Sequence, residues 1–145
     1  MFKQISRLST GIALTLLTNN LVSGGLTDGI NAYNAGRFEQ AFDIFSRHAS
    51  TASPIAMYYL CSLHLSGKGA EQDEDLAFHY CKRAAEDEIV EAQFQLGLMY
   101  LNAVGMTQED NDKALEWFWK AADRGHPQAK EMFDFIINGD FTFGC

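Results

Sequence analysis

The sequence predicts an all-α protein, an α-solenoid of about three to four stacked antiparallel helical hairpins. A segment of the chain repeats after about 36 residues, and each whole copy contains two stretches with apolar residues at helical spacing. The chain of 145 residues has only 2 prolines, so long helices can continue without interruption. Because one hairpin of this length cannot bury its own apolar face, consecutive hairpins are expected to stack.

Residues 1–24 have the order typical of a secretory signal peptide: the basic residues Lys3 and Arg7, then an apolar stretch, then small residues. The apolar stretch is too short to span the ~30 Å hydrocarbon core of a bilayer. We therefore expect a signal peptide at 1–24, one domain at 25–145, a periplasmic or secreted location, and no stable membrane anchor after cleavage. The alternative is that residues 4–22 form the first helix of the fold.

The repeat is clearest between residues 54–89 and residues 90–126. Corresponding positions lie 36 residues apart in the first half of the unit and, after one inserted residue, 37 apart in the second half. The pairs are Ala56/Ala92, Tyr58/Phe94, Leu60/Leu96, Leu63/Met99, Leu65/Leu101, Gly69/Gly105, Gln72/Gln108, Ala77/Ala114, Phe78/Leu115, Tyr80/Trp117, Arg83/Lys120, Ala84/Ala121 and Ala85/Ala122. Residues 36–50 match the second half of an earlier unit, and residues 127–138 match the first half of a later one.

Each whole unit predicts two helices joined by a loop that contains glycine. Gly67 and Gly69 suit the positive φ angle at which helices end, and Asp73 and Thr107 stand where the following helices need N-caps. Acidic residues cluster near these helix starts, where the helix dipole favours negative charge, so we interpret them as structural. The predicted helices lie at about 54–66, 73–87, 90–103 and 110–124.

The segment LGLMYLNAVGMTQEDNDKALEWFWKAADRGH, which ends at His126, resembles a Sel-one-like repeat, a family related to tetratricopeptide repeats. Ala103 stands where the first loop glycine of the family is expected. The preceding unit keeps both loop glycines but has Cys61 and His64 in place of the family's glycine and tyrosine. The resemblance implies a scaffold that binds proteins or peptides, and the family has no common catalytic residues.

The resemblance also bears on the cysteines, because Cys61 stands at the position of Gly97 and Cys81 at the position of Phe118. These two positions face each other within one hairpin of the family. A small and a large residue are thus replaced by two of medium size, and an exported protein meets oxidising conditions, so we predict a Cys61–Cys81 disulfide. The alternative is two buried free thiols. Cys145 is left over and could be free, capped or intermolecular.

Composition and motifs exclude several classes of function. The 11 Lys and Arg residues against 19 Asp and Glu residues give a net charge of −8, which argues against binding to nucleic acid. The segment Gly67-Lys68-Gly69 lacks the full phosphate-loop pattern, and no GxSxG motif is present. No pair among the histidines has the spacing of a helical metal site; they are His48, His64, His79 and His126. We therefore expect no catalytic residue, no metal site and no cofactor.

By analogy with tetratricopeptide stacking, the first helix of each unit should line the concave side of the solenoid. The candidates for binding a partner are then Tyr58, Ser62, Glu91, Gln95, Leu98 and Asn102. Each of these could instead be an ordinary surface or packing residue. Most aromatic residues of the repeats are expected in the core between helices.

The sequence thus predicts a non-enzymatic protein–protein interaction module, an exported adaptor or scaffold that binds a peptide or protein in its concave groove. The partner itself is unknown, and the acidic charge favours a basic or neutral one. One alternative is a hydrolase acting on the cell wall or on β-lactams, which is suggested only by the resemblance to cysteine-rich members of the family. Another is an assembly factor with a permanent partner, which the sequence does not separate from an adaptor.

Overall fold

The computed structural model describes residues 25–102 and 108–138. Within these ranges the chain is all α-helical, and its helices pack chiefly on their neighbours in sequence. Three hairpins (α1–α2, α3–α4 and α5–α6) are followed by a last helix, α7, which packs on α6. This confirms the predicted α-solenoid. The helices are α1 (Leu26–Asn34), α2 (Phe38–Ala49), α3 (Pro54–Ser66), α4 (Glu74–Glu86), α5 (Val90–Asn102), α6 (Gln108–Asp123) and α7 (Pro127–Ile137).

Local sequence explains where the helices of the middle hairpin begin and end. The Ser53 side chain accepts a hydrogen bond at the start of α3, and Pro54 follows at a position where its missing N–H is not needed. Helix α3 ends at Gly67, which adopts the left-handed conformation with φ of 65°. The Asp73 carboxylate caps α4 by accepting the backbone N–H of Leu76 at 2.9 Å. The predicted roles of Gly67 and Asp73 are confirmed, whereas Thr107 and Ala103 lie outside the described residues.

Alanines at equivalent positions form the contacts between helices. Every one of these alanines is fully buried, so that the helices approach closely without large side chains between them. The equivalent set in the first helices comprises Ala56, Ala92 and Ala129, and the set in the second helices comprises Ala41, Ala77 and Ala114. Because Ala129 belongs to the first set, α7 is the first helix of a further unit, as the weaker sequence match predicted.

A second set of equivalent positions lies at the centre of each hairpin. In the third hairpin, Gly97 leaves space for the buried ring of Phe118. The first hairpin has the same arrangement between Gly29 and Phe45. In the middle hairpin the corresponding residues are Cys61 and Cys81, which form a disulfide with a Cα–Cα distance of 5.3 Å. The structure thus contains the predicted pair, and its two cysteines are fully buried.

The loop between α3 and α4 docks on the preceding hairpin. A side chain at Gly69, which has φ of 68°, would overlap the backbone carbonyl of Phe38 at the start of α2. The Lys68 ammonium lies 5.3 Å from the centroid of the Phe38 ring. Buried His64 donates from Nδ1 to the Glu71 carbonyl at 2.9 Å, which ties helix α3 to the same loop. These contacts give His64 a structural role in this loop.

The signal peptide predicted at residues 1–24 and the leftover Cys145 lie outside the described residues. Within the described ranges, no helix has both the length and the apolar character needed to cross a membrane.

Candidate functional site

A groove with a volume of about 450 Å³ lies on the side of the fold formed by the first helices of the three hairpins. Helix α1 contributes residues near its end, α3 contributes residues from its first turns, and α5 contributes residues around its start. The lining consists of Tyr33, Asn34, Ile55, Tyr58, Tyr59, Ile89 and Glu91. We call this feature the tyrosine groove.

The rings of the tyrosine groove form one contiguous aromatic surface. Tyr59 lies at its centre and stacks on the fully buried ring of Phe45, with centroids 4.5 Å apart. Tyr33 from α1 and Tyr58 from α3 contact the Tyr59 ring edge-on, at centroid distances of 5.0 Å and 5.4 Å. Since Phe45 belongs to the core of the first hairpin, the position of the groove rings is fixed by core packing.

The pKa values of two tyrosines in the groove, Tyr58 and Tyr59, are raised by their surroundings. Burial raises the pKa of the Tyr58 phenol most, a hydrogen bond with Ser62 lowers it by less, and the nearby Tyr33, Glu91 and Tyr59 each add a still smaller increase. Burial also raises the pKa of Tyr59, with added contributions from Tyr33 and Glu91. Groups from α1 and α5 thus act on the two phenols of α3, Tyr58 and Tyr59, within a single small space.

The structure distributes the six predicted binding residues over different surroundings. Tyr58 and Glu91 line the tyrosine groove. Ser62 is half-buried, and its hydroxyl donates to the backbone carbonyl of Tyr58 at 3.3 Å. Leu98 is half-buried and packs against the core cluster that contains Phe118.

Gln95 and Asn102 line a second cavity of about 440 Å³, at the other end of α5. Its lining combines apolar and acidic side chains, and is formed by Leu65, Glu74, Asp75, Phe78, Gln95, Met99, Tyr100, Asn102 and Asp110. The six residues therefore do not share one pocket, and their role in binding stays a prediction.

Five residues of the groove were not among the predicted binding residues, namely Tyr33, Asn34, Ile55, Tyr59 and Ile89. The two tyrosines belong to the aromatic class that was expected in the core, and Ile55 gave no signal of its own although it is 39% exposed. Gly29 and Phe45 repeat the pairing of a glycine with a facing phenylalanine, which marks α1 as the first helix of a unit.

Among the described residues, no group of three or more His, Cys, Asp or Glu side chains is arranged to hold a metal ion. The ring of His64, besides its bond to the loop, contacts Phe42 edge-on at 5.7 Å and stacks on Tyr80 at 6.0 Å. The tyrosine groove offers aromatic surface, hydroxyl groups and one carboxylate, which are means of binding a side chain of another molecule.

The stacked hairpins and their buried alanines define a helical repeat protein. The model of the Sel1 repeat family matches residues 54–88 and 90–126, and the chain belongs to this family. The resemblance inferred from the sequence is thereby confirmed. Sel1 repeats are typical of protein–protein interaction modules.

Two solved structures share this fold. One is the Sel1 repeat protein from Oxalobacter formigenes, with 28% identity and a TM-score of 0.70 over 83% of this chain and 49% of that chain. The other is c5321, described as a protective antigen present in uropathogenic Escherichia coli strains that displays an SLR fold. It has 29% identity and a TM-score of 0.69, and the match covers 87% of this chain and 29% of that chain.

Two characterised proteins are similar over part of the chain. Chitin synthase regulatory factor 3 of Schizosaccharomyces pombe is 27% identical over 96 residues, which are 66% of this chain and 10% of that protein. HRD3A of Arabidopsis thaliana, a component of an ERAD-associated E3 ubiquitin-protein ligase, is 36% identical over 66 residues, or 46% of this chain and 9% of that protein. The chain spans about a tenth of the length of each.

Proposed function

We propose that the protein is an exported, non-enzymatic adaptor or scaffold that binds a segment of another protein in the tyrosine groove. The observation that carries the proposal is the groove itself, in which aromatic rings and the exposed side chain of Ile55 meet on the surface made by three successive first helices. Tyrosine is enriched where proteins bind one another, because it combines a large apolar area with a polar end.

The rigidity of the groove favours binding without a large rearrangement. Tyr59 rests on Phe45 of the buried core, so its ring does not have to be ordered when a partner arrives. A volume of about 450 Å³ accommodates a few side chains. A bound segment would therefore place an anchor in the groove and continue along the neighbouring helices.

The similar proteins support a role in binding. One relative is named as a regulatory factor of an enzyme and the other as a component of a ubiquitin ligase, so both names describe proteins that work with other proteins. Export is supported by two features: the order of residues 1–24, and the Cys61–Cys81 disulfide, which is a bond that persists in oxidising compartments.

The test of binding uses two exposed isoleucines as a matched pair. Ile55 is 39% exposed in the groove, and Ile137 is 58% exposed on α7. The full-length protein is crosslinked in envelope extract at low salt, and the retained proteins are compared with those retained by the uncharged Ile55→Asn and Ile137→Asn variants. We expect Ile55→Asn to lose a partner that wild type and Ile137→Asn both keep. Equal retention by all three proteins would refute binding in the groove.

A further inference from the structure

Resting on the proposed function, we infer that the tyrosine groove receives a positively charged side chain, Lys or Arg, from the partner segment. The three phenols and the Glu91 carboxylate would surround its cationic group. The composition of the groove lining is the starting point. Among the described residues, this lining has one carboxylate and no Lys or Arg.

The chemistry of the lining suits a cation with several N–H groups. The faces of Tyr33, Tyr58 and Tyr59 carry the negative part of the ring quadrupole, which attracts a cation. Phenol oxygens accept hydrogen bonds, and an ionised carboxylate accepts charge-assisted ones. The ring contacts at 5.0 Å and 5.4 Å hold these groups together, so a bound cation meets them without further ordering of the protein.

Elsewhere in the fold the protein fills such aromatic positions with its own lysines. Lys120 lies 4.2 Å from the centroid of the Trp117 ring, and Lys113 lies 5.6 Å from that of Tyr100. The contact of Lys68 with Phe38 is a third example. The tyrosine groove has the same kind of rings and a carboxylate as well, but its lining supplies no lysine or arginine of its own. A Lys or Arg side chain from a second molecule would make the same kind of contact with the rings of the groove.

The net charge of the whole chain also favours a cationic partner segment. A net charge of −8 attracts basic segments over a distance and raises the rate at which they meet the protein. The Glu91 carboxylate and the aromatic faces then select the charged side chain at short range.

The test uses small probes and the folded, full-length protein. Amide shifts in NMR spectra are followed while N-acetyl-arginine methylamide is added, and the same titration is made with N-acetyl-norleucine methylamide, a neutral aliphatic analogue. We expect the arginine probe to shift residues of α1, α3 and α5 around the groove, with an apparent Kd of about 10 mM. The norleucine probe should bind there at least about fivefold more weakly.

Two variants with the same change of charge give the control. Glu91→Gln should weaken binding of the arginine probe about threefold to fivefold, as expected for an exposed ion pair. Asp43→Asn, at an exposed position on α2, should leave the binding unchanged. Tyr58→Phe should weaken it as well, whereas Tyr100→Phe, in the second cavity, should not.

The outcomes separate this inference from the proposed function. If the norleucine probe binds the groove as well as the arginine probe, or if neither probe binds there, the groove has no preference for a cation and the inference is wrong. Arginine shifts confined to the second cavity, near Glu74 and Asp75, would also overturn it. In each of these cases, the loss of a partner by Ile55→Asn alone would still support binding of a protein segment in the groove.

Discussion

The ring of Phe118 lies in the space that a side chain at position 97 would need. A Cβ atom built on Gly97 would stand only 2.7 Å from Cε1 of Phe118, and a Cβ atom on Gly29 would stand 2.8 Å from Cε1 of Phe45. Between these two hairpins, the same place holds the Cys61–Cys81 disulfide. At the centre of each hairpin, the two facing residues therefore have complementary sizes: a glycine with a phenylalanine, or two cysteines.

The substitution Gly97→Ala should destabilise the fold by about 1–2 kcal/mol. Overpacking a filled core typically costs about 1–3 kcal/mol, and the better helix propensity of alanine offsets up to about 1 kcal/mol of this. Urea denaturation followed by circular dichroism measures the free energy of unfolding. Adding Phe118→Leu to Gly97→Ala should recover part of the loss, and a stabilised single variant would contradict the close packing.

Removal of the disulfide in Cys61→Ala/Cys81→Ala should lower the free energy of unfolding by about 3 kcal/mol, because the unfolded chain is no longer closed into a loop across 20 residues. A second variant, Cys61→Gly/Cys81→Phe, gives the middle hairpin the pair used by its neighbours. We expect it to be more stable than the double alanine variant and to unfold identically with and without reductant. Equal stability of wild type with and without reductant would show that the bond contributes nothing.

Two glycines with positive φ make a matched comparison in the loops. Gly36 has φ of 73° with open space around it, whereas Gly69 has φ of 68° and faces the backbone of Phe38. Gly36→Ala should cost about 1–2 kcal/mol, the penalty of the left-handed conformation. Gly69→Ala should cost at least about 1 kcal/mol more, because α2 and the loop have to separate. Equal unfolding free energies of the two variants would argue against the docking of this loop on α2.

The burial of Tyr58 predicts a dependence of stability on pH in the alkaline range. Its pKa in the folded protein is raised above the ordinary value of about 10, so between these two values the native state keeps a proton that the unfolded state has lost. The stabilisation is complete below pH ~10 and decreases as the pH rises through the folded pKa.

Absorbance at 295 nm, where tyrosinate absorbs, should show late-titrating phenols in wild type, and Tyr58→Phe should reduce the amplitude of this late transition to the part that belongs to Tyr59. Tyr100→Phe should keep this late transition, because it leaves Tyr58 intact. Wild type should also lose stability above pH ~10 more steeply than Tyr58→Phe does. An unchanged late transition in Tyr58→Phe would assign the raised pKa to a different group.

The sequence predicted those parts of the molecule that depend on local pattern and on comparison between units. The alignment of residues 54–89 with 90–126 placed helices α3 to α6. The resemblance to the family, in which the positions of Gly97 and Phe118 face each other, paired Cys61 with Cys81. Helix α1 was harder to recognise. Its nine residues and its shorter loop to α2 shift its register relative to the whole units.

The tyrosine groove depends on contacts that no single unit contains. Tyr33, Tyr58 and Glu91 come from three hairpins, and only the stacking of those hairpins brings their side chains together. Leu98 illustrates the opposite case, since its position in a first helix suggested the groove, although its side chain packs beside the Phe118 cluster. The face to which a helical residue belongs depends on how neighbouring helices cross, and the apolar spacing alone leaves that angle open.

The disulfide joins two helices of one hairpin, whereas the tyrosine groove is lined from three hairpins. The covalent bond therefore constrains only the middle unit, and the width of the groove is set by noncovalent packing between units, such as the stack of Tyr59 on Phe45.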